Sequence, residues 1–360
     1  MTSKSFYESL EELAVERGLT TESIMEKVEI AMGVACRDTE YTGVIKVEFD
    51  TEKKSINVYE YKYVVAELTE GNKGEILLEE AKKYRAKPKV GMEIKTKVDF
   101  TKFGRKAAGK FKNTLSNELK NLEREEAYAY FSQMVGEIIT AKVIDSNAKF
   151  VTFSIGKGTF ASMPIAEGIP GETYEPGETK VVYINKVDKT TKGPKVFICR
   201  NNREIVKKLF EREIVEVRDG TVEIMGIARE PGSRTKVGVI ATKPTVDPKG
   251  ACVGQGGNRI KAINEALNNE KIDIFTWKED PVALISEALL PAHSLGVVIL
   301  DEKEKQALVI VSDDQFSLAI GKSGQNVRLA AYSIDWRIDI KRLSDAVNEG
   351  IKFTYNIFNH

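Results

Sequence analysis

Two stretches of the chain repeat one pattern, and this repeat decides the predicted fold: VDPKGACVGQGGNRIKAINEALNNEKIDIFTW (246–277) and SDDQFSLAIGKSGQNVRLAAYSIDWRIDIKRL (312–343). Each stretch carries a G-x-x-G tetrad that is followed by apolar residues at helical spacing. The aligned positions are Asp247 with Asp314, Gly254 with Gly321, Gly257 with Gly324, Ile260 with Val327, Ile263 with Ala330 and Leu267 with Ile334. Such an internal repeat is far stronger evidence for a shared structural unit than the tetrad alone.

Each copy is preceded by two predicted strands, which turn at Pro231-Gly232 and near Lys303. Each copy therefore reads strand, strand, helix, G-x-x-G, helix, strand, which is the order of a type II KH unit. The short helix before each loop is predicted to begin at a capping aspartate, Asp247 in one copy and Asp314 in the other.

The two G-x-x-G loops are candidate binding sites for a nucleic-acid backbone. Glycine lets the main chain approach a phosphate, and the following helix N-terminus offers free N–H groups to an anion. KH grooves clamp about four nucleotides of single-stranded RNA in this way. The candidate RNA-binding residues are Gly254, Gln255, Gly256, Gly257 and Arg259 in the first copy and Gly321, Lys322, Ser323, Gly324 and Arg328 in the second.

Other polar and aromatic residues near the loops have simpler interpretations. Arg259 and Arg328 also fit ordinary solvated helix charges. Arg234 and Lys236, which follow the Pro-Gly turn, are expected at the surface without an RNA contact. Trp277 and Trp336 are expected in the core rather than stacked on bases.

The tripeptide Gly321-Lys322-Ser323 also ends the P-loop motif of nucleotide-hydrolysing enzymes. That motif needs a glycine five residues earlier, where this chain has Phe316. The preceding residues also read as a helix and not as the required strand. With only His293 and His360 as histidines, the sequence predicts no catalytic residues, no metal site, no cofactor and no enzyme.

Residues 135–200 alternate short apolar strands with Gly, Asn, Asp and Pro turns, which predicts a five-stranded barrel of OB-fold size. Phe150, Phe153 and Phe160 in this segment could stack on RNA bases or belong to the core, and Phe150 and Phe160 are the candidates for RNA contact.

The first 100 residues predict an α/β unit: two helices in residues 1–33, strands around a polar turn at residues 50–54, a short helix over 75–87 and a strand over 91–100. Residues 105–134 contain no proline and keep an apolar stripe, so they predict one long helix. This helix fits a spacer between domains as well as a packed core helix. Its charged face is expected to be solvated, with a docking surface as the alternative.

The composition sets broad limits. The chain has 54 basic and 54 acidic residues among 360, so its net charge argues neither for nor against nucleic acid. Cys36, Cys199 and Cys252 lie far apart and are expected as small buried side chains. No secretory signal or membrane span is predicted, so the expected location is the cytoplasm.

The barrel and the two KH units together resemble the NusA family of bacterial transcription elongation, termination and antitermination factors. The resemblance spans nearly the whole chain. The segments that carry it are LFEREIVEVRDGTVEIMGIAREPGSRTKVGV (209–239), VDPKGACVGQGGNRI (246–260), EKIDIFTW (270–277), DDQFSLAIGKSGQNVRLAA (313–331) and FGRKAA (103–108).

The resemblance implies a multidomain α+β protein. The domains are expected at 1–100 (binding RNA polymerase), 101–134 (connector helix), 135–200 (S1-like OB barrel), 201–280 (first type II KH domain), 281–345 (second type II KH domain) and 346–360 (tail). It also implies a monomer that binds single-stranded nascent RNA and other Nus-type antitermination factors, and that modulates pausing, termination and antitermination.

Two other functions fit parts of this pattern. An RNA-processing or RNA-degrading enzyme of the polynucleotide phosphorylase kind also joins KH and S1-like domains. There, however, the KH unit precedes the barrel and a large catalytic core comes first. A ribosome-associated KH protein would need a strongly basic composition, which this chain lacks.

Three departures from the family pattern matter. The first loop has no basic residue where relatives often carry one, so Lys322 in the second loop is expected to contribute more of the attraction to phosphate. The connector segment GKFKNTLSNELKN (109–121) differs from the usual run, which leaves its contacts open. Only a short tail follows Leu343, so the acidic repeats of longer relatives, and autoinhibition by them, are expected to be absent.

Overall fold

The structure is a computed structural model that describes residues 3–36, 39, 41, 43–50, 52–72, 74–99 and 103–355. Phe100, the last residue of the strand predicted over 91–100, and His360, one of the two histidines, lie outside these residues. The chain forms two compact units, residues 1–130 with 189–194, and residues 131–188 with 195–360. No helix in the described ranges is long and apolar enough to span a membrane.

The first unit has two helices, a four-stranded sheet, a one-turn helix and a long helix. Its elements are α1 Ser3–Arg17, α2 Thr21–Cys36, β1 Val44–Asp50, β2 Ser55–Val65, β3 Glu75–Leu77, α3 Leu78–Ala81, β4 Glu93–Val98 and α4 Arg105–Gln133. Strand β2 is central: β1 and β4 pair with it antiparallel, and β3 pairs with it parallel. Helix α2 begins where the Thr20 hydroxyl accepts a hydrogen bond from the Ser23 N–H at 3.2 Å.

The core of this unit forms where α1 and α2 cover one face of the sheet. Ile24, Val28, Ile56 and Val58 are fully buried there. Leu115, Leu119 and further residues of the first half of α4 belong to the same buried cluster. The first half of the long helix therefore packs into this core.

One predicted element of this unit was wrong in part. The segment 75–87 was expected as a single helix, but only Leu78–Ala81 is helical. Residues Glu75–Leu77 form β3 and pair with Tyr63–Val65 of β2. The ladder to β2 satisfies backbone groups that the predicted helix would otherwise have used, so tertiary pairing overrides the local helix propensity here.

The second unit begins with a barrel-like sheet. Its strands are β5 Ile138–Ser146, β6 Phe150–Gly156, β7 Thr159–Pro164, β8 Thr179–Thr190 and β9 Gly193–Cys199. They pair in the order β7-β6-β5-β8-β9. Burial alternates strictly along β7, as expected for a strand with one face toward a core. This nearly closed five-stranded arrangement is consistent with the predicted S1-like OB fold.

Two KH units follow the barrel. The first contains α5 Glu204–Glu213, α6 Val215–Arg218, β10 Val222–Glu230, β11 Arg234–Ala241, α7 Pro248–Val253, α8 Asn258–Ala266 and β12 Lys271–Thr276. The second contains α9 Pro281–Ala288, β13 Ser294–Asp301, β14 Gln306–Val311, α10 Phe316–Ile320, α11 Gln325–Ile334 and β15 Arg337–Arg342, and it is followed by α12 Leu343–Asn348. In both units an antiparallel hairpin is joined by a parallel third strand, so the predicted type II order is confirmed.

The two predicted helix caps behave differently. The Asp247 carboxylate accepts a hydrogen bond from the Lys249 N–H at 3.1 Å and caps α7 as predicted. The prediction for Asp314 was wrong, because α10 begins after Gln315 and has no side-chain cap. Pro248 holds the residue before it in the extended conformation that an N-cap needs, and the second copy has no such proline.

Two glycines on corresponding strands mark close packing in the KH pair. A Cβ at Gly226 of β10 would collide with the Ser333 carbonyl oxygen of α11, so the second KH unit approaches the first along this strand. A Cβ at Gly296 of β13 would collide with the Phe353 ring and lie 2.8 Å from the Thr354 carbonyl oxygen. The described end of the tail therefore covers, on the second KH unit, the place that α11 covers on the first KH unit.

The expectations for buried single residues hold. All three cysteines are unpaired and buried. Trp277 and Trp336 are partly buried and pack against one hydrophobic cluster.

Candidate nucleic-acid interface

The two G-x-x-G loops have nearly the same backbone. Gly254 and Gly321 have φ/ψ of 75°/173° and 73°/174°, and each loop ends in a left-handed glycine, Gly257 or Gly324. A Cβ at Gly254 would lie 2.6 Å from Asn258 Oδ1, and one at Gly321 would lie 2.8 Å from the Asn326 backbone nitrogen. Both glycines are therefore required by conformation and by space, which supports the repeat as a structural one.

The loops differ at their third position. Gly256 has φ 61° in the first loop, and Ser323 has φ 52° at the equivalent place in the second. A residue with a side chain costs about 1–2 kcal/mol in this left-handed region, and glycine avoids that cost. The second loop is thus the more strained of the two.

The loops present their polar atoms to solvent at helix N-termini. Gln255 and Gly256 of the first loop are exposed, as are Lys322 and Ser323 of the second. Helices α8 and α11 begin directly after the loops, so their free N–H groups and positive dipole ends favour an anion there. Lys322 forms no ion pair with any residue that the structure describes, and its charge is available to a ligand.

The two candidate arginines already have protein partners. Arg259 donates to Glu216 and to the Ala251 carbonyl, both at 2.7 Å. Arg328 donates to Glu230 at 2.7 Å and to the Ser323 carbonyl oxygen at 3.1 Å. Each guanidinium thus holds a backbone carbonyl of, or next to, its loop while a carboxylate offsets its charge. Their role as direct RNA contacts stays a prediction.

An apolar groove adjoins the first loop. It has a volume of about 420 Å³ and is lined by Lys249, Val253, Ile260, Ile272, Asp273, Ile274, Leu290, Pro291 and His293. The β12 and helix residues belong to the first KH unit, whereas Leu290, Pro291 and His293 come from the segment after α9. A groove of this size with an apolar floor can accept unstacked bases. Sequence reasoning missed the three closing residues, because no local pattern marks them.

A second cavity lies where the hairpin of the first KH unit meets the second loop. Its volume is about 450 Å³, and it is lined by Gly232, Ser233, Arg234, Asn269, Lys271, Gly321, Lys322, Gln325 and Asn326. Three of these side chains are cationic, although Asp273 lies 3.4 Å from Arg234. The second loop is therefore connected to the first KH unit by a basic cavity that the sequence did not reveal.

Lys236 was expected at the surface, and this expectation was wrong. Its side chain is 1% exposed, and its ammonium donates to the Leu290 carbonyl at 2.6 Å and lies 3.9 Å from Asp273. Burial lowers the pKa of Lys236 to about 8, although Asp273 opposes this effect. Lys236 lies on the face of β11 opposite to the core residues Val237 and Val239, and the segment after α9 covers it there.

The barrel aromatics divide as their strand alternation requires. Phe153 is fully buried, whereas Phe150 and Phe160 are 45% and 59% exposed. Phe150 pairs with Pro164 and Ser154 with Phe160, which places both exposed rings on the outer face of neighbouring strands. These rings are open to stacking partners, and their contact with RNA stays a prediction.

Two buried ion pairs hold the barrel and the first KH unit together. Arg200 is fully buried, pairs with Glu172 at 2.7 Å and donates to the Ala266 carbonyl at 3.0 Å. Arg229 pairs with Glu270 and donates to the carbonyl oxygens of Arg200 and Asn202. These contacts link the barrel and the residues that follow it to β10 and to the end of α8 in the first KH unit.

Comparisons with known proteins agree with this arrangement. Family models match the chain as a NusA N-terminal domain over residues 5–125, a NusA-like first KH domain over 200–277 and a NusA-like second KH domain over 281–348. The chain is 40% identical over 350 residues to a protein of Bacillus subtilis named transcription termination/antitermination protein NusA, covering 97% of this chain and 94% of that one. It is 38% identical over 342 residues to the protein of the same name from Thermus thermophilus, covering 91% and 87%.

Proposed function

The chain belongs to the NusA family, and we propose that it is an RNA-binding transcription elongation factor that modulates pausing, termination and antitermination. The observation that carries the proposal is the pair of matching G-x-x-G loops at helix N-termini, in one compact unit with an S1-like barrel. Its relatives bear the name of a transcription factor, and nothing favours the alternative of an RNA-degrading enzyme.

The RNA backbone is bound by the two loops in turn. At the first loop the attraction comes from backbone N–H groups and the helix dipole, because Gln255 is neutral and Arg259 is paired with Glu216. At the second loop the exposed Lys322 adds a full charge next to the basic cavity. Bases reach the apolar groove beside the first loop and the exposed Phe150 and Phe160 on the barrel.

The finer parts of the proposal concern partners and domain limits. Residues 1–100 dock on RNA polymerase, residues 101–134 connect this domain to the barrel at 135–200, and the KH domains occupy 201–280 and 281–345. The protein acts as a cytoplasmic monomer together with other Nus-type antitermination factors. Support comes from the family models and the relatives' names.

A charge reversal in the second loop tests the RNA-binding role. Lys322→Asp with Ser323→Asp should weaken single-stranded RNA binding about tenfold or more and reduce the slope of log affinity against log salt by about 0.7, because one phosphate contact is lost. Fluorescence anisotropy of an unstructured RNA over a salt series measures both quantities. Lys303→Asp, an exposed lysine in the β13–β14 turn, is the matched control. Equal affinity and slope in the folded double variant would contradict the assignment.

A pull-down tests the docking role separately. Residues 1–134, expressed alone, should retain RNA polymerase in the absence of RNA, because the N-terminal core lies largely within them. A requirement for residues 135–343 would contradict the proposed division of roles.

A further inference from the structure

Three tyrosines form a row on the outer face of the N-terminal sheet. Along β2 the side chains of Tyr59, Tyr61 and Tyr63 alternate with residues that point to the core side, among them Val58 and Val64, which are fully buried. Alternate residues of a strand lie about 6.6 Å apart on one face. Helices α1 and α2 cover the opposite face, so the three rings share the open side of the sheet.

Lysines on both neighbouring strands flank this row. Strand pairing places Lys46 of β1 and Lys97 of β4 on either side of Tyr59, and Lys95 of β4 beside Tyr61. All three lysines are exposed. Lysines therefore border the row at Tyr59 and Tyr61, whereas Tyr63 lies between Glu75 of β3 and Glu93 of β4.

The lysines contact the rings themselves. Lys95 Nζ lies 3.8 Å from the ring centroid of Tyr59 and 5.7 Å from that of Tyr61, and Lys46 Nζ lies 4.9 Å from the Tyr61 centroid. Glu48, the acidic neighbour of Tyr61, accepts hydrogen bonds from Lys95 at 2.5 Å and from the Tyr61 hydroxyl at 3.0 Å. In the absence of a ligand, cation–π contacts thus cover the ring faces of Tyr59 and Tyr61.

We propose that this face, defined by Tyr59, Tyr61 and Tyr63 with Lys46, Lys95 and Lys97, is a second binding site for single-stranded RNA, separate from the KH loops. Bases stack on the tyrosine rings, and the lysine ammonium groups move from the rings to the phosphates. An aromatic row bordered by cations is the arrangement of sequence-tolerant single-strand binding platforms.

The chemistry of the face favours RNA over a protein partner. An apolar protein surface would be matched by aliphatic side chains, and among the residues that β1, β2 and β4 direct outward only Val44 and Val65 are aliphatic. The rings are flat and arranged in line, and exposed lysines lie on both sides of Tyr59 and on one side of Tyr61, which matches a charged backbone that carries planar bases. Double-stranded RNA would leave the rings without stacking partners, because its bases are already stacked.

The test uses the full chain with the KH loop disabled by Lys322→Asp and Ser323→Asp, so that residual binding reports on the new site. The probe is a short oligouridine, with 4-thiouridine for photocrosslinking. We expect crosslinks to the peptide that contains residues 59–63. Tyr59→Leu with Tyr63→Leu should lower the residual affinity by about thirtyfold or more, since two stacked bases are lost. Tyr59→Phe with Tyr63→Phe keeps the rings and should bind as before.

The charged border has its own matched pair of variants. Lys46→Gln with Lys97→Gln should reduce the slope of log affinity against log salt by about 1.4, because two phosphate contacts are lost. Lys82→Gln with Lys83→Gln removes the same charge from exposed residues at the end of α3 and just beyond it, and it should change nothing.

Three results would overturn the proposal: no crosslink to residues 59–63, equal affinity of the leucine and phenylalanine variants, or a loss of RNA polymerase pull-down with RNA binding intact. The last result would make the face a protein-docking surface. The proposed function would stand in each case, because it depends on the KH loops. RNA binding through those loops is measured separately, with the same leucine variants in a chain whose loops are intact.

Discussion

The two KH units share a backbone but differ in the polar groups that they bury. In the first KH unit Arg229, Thr235 and Glu270 form a buried network, in which the Glu270 carboxylate accepts hydrogen bonds from both Arg229 and Thr235. Strand register places Ile299, Ala307 and Trp336 of the second unit at the corresponding positions. An apolar cluster in one copy thus replaces an ion pair in the other, which shows that the fold requires volume at these positions but not a particular chemistry.

The same register shows a second replacement. Lys236 pairs with Asp273 across β11 and β12, and Leu308 pairs with Asp339 across β14 and β15. Lys236 is 1% exposed and Leu308 is 9% exposed, so a lysine and a leucine fill equivalent interior places. The polar choice in the first unit follows its surroundings, because Leu290 of the following segment offers a carbonyl to the ammonium.

The neighbours of the two units explain the difference. The first KH unit is enclosed by the barrel on one side and by α11 on the other. Its buried polar side chains donate to the carbonyl oxygens of Arg200, Asn202 and Leu290. In the second KH unit the described end of the tail packs on Gly296, and in the first KH unit α11 packs on the corresponding Gly226. One KH backbone is thus adapted to a central or a terminal place by a few side chains.

The largest expected effect comes from breaking the network of the first unit. Glu270→Ala should lower the free energy of unfolding by about 3–5 kcal/mol, because Arg229 would stay buried without a counter-charge. Urea unfolding followed by Trp277 fluorescence, in a Trp336→Phe background, measures this change. Replacing both partners, with Arg229→Ile and Glu270→Leu, imitates the apolar second unit and should cost clearly less. An equal loss in single and double variants would show that the two units are not interchangeable at these positions.

A pH series sharpens the comparison of Lys236 with Leu308. The pKa of Lys236 is lowered from 10.5 to about 8 by burial, so between these pH values the unfolded chain binds more protons than the folded one. Burying the charged lysine destabilises the fold fully below pH 8, and this destabilisation is relieved as the pH rises toward 10.5. Over this range the free energy of unfolding should rise by on the order of 3 kcal/mol. Relative to Lys236→Leu, the natural chain should therefore gain stability from pH 7 to pH 10. Parallel urea curves for the two proteins measure the gain, and a constant difference would mean that the lysine is solvated.

The smallest expected effect compares the two covered glycines. Gly226→Ala should destabilise the KH pair by about 1–3 kcal/mol, because the colliding atom is a backbone oxygen inside α11. Gly296→Ala should cost less, since the Phe353 ring and the irregular tail backbone that it meets can move away. Hydrogen exchange of α11 and of the tail, read together with the unfolding free energies, separates these responses. A larger loss for Gly296→Ala would mean that the tail is held more firmly than α11.

The sequence predicted the candidate site in part. The loop glycines and the cap at Asp247 could be found from spacing alone, since positive φ angles and helix starts depend on neighbouring residues. The cap at Asp314 failed because no proline follows it to hold it in the extended conformation, so the chain there turns before it enters the helix. Lys322 was identified as the exposed charge of the second loop, and the structure places it at the basic cavity.

What the sequence alone determined is the type and order of the elements: the repeated KH pattern, the barrel strands and the two glycine loops. These follow from periodicity and local backbone requirements, which act over a few residues. Only the tertiary structure decided that Lys236 is buried, that Arg259 and Arg328 are paired with carboxylates, and that Tyr59 and Tyr61 lie beside lysines of the neighbouring strands. Each of these depends on which distant strand or helix lies beside the residue, and burial and charge pairing are set by such neighbours and not by the residues adjacent in the chain.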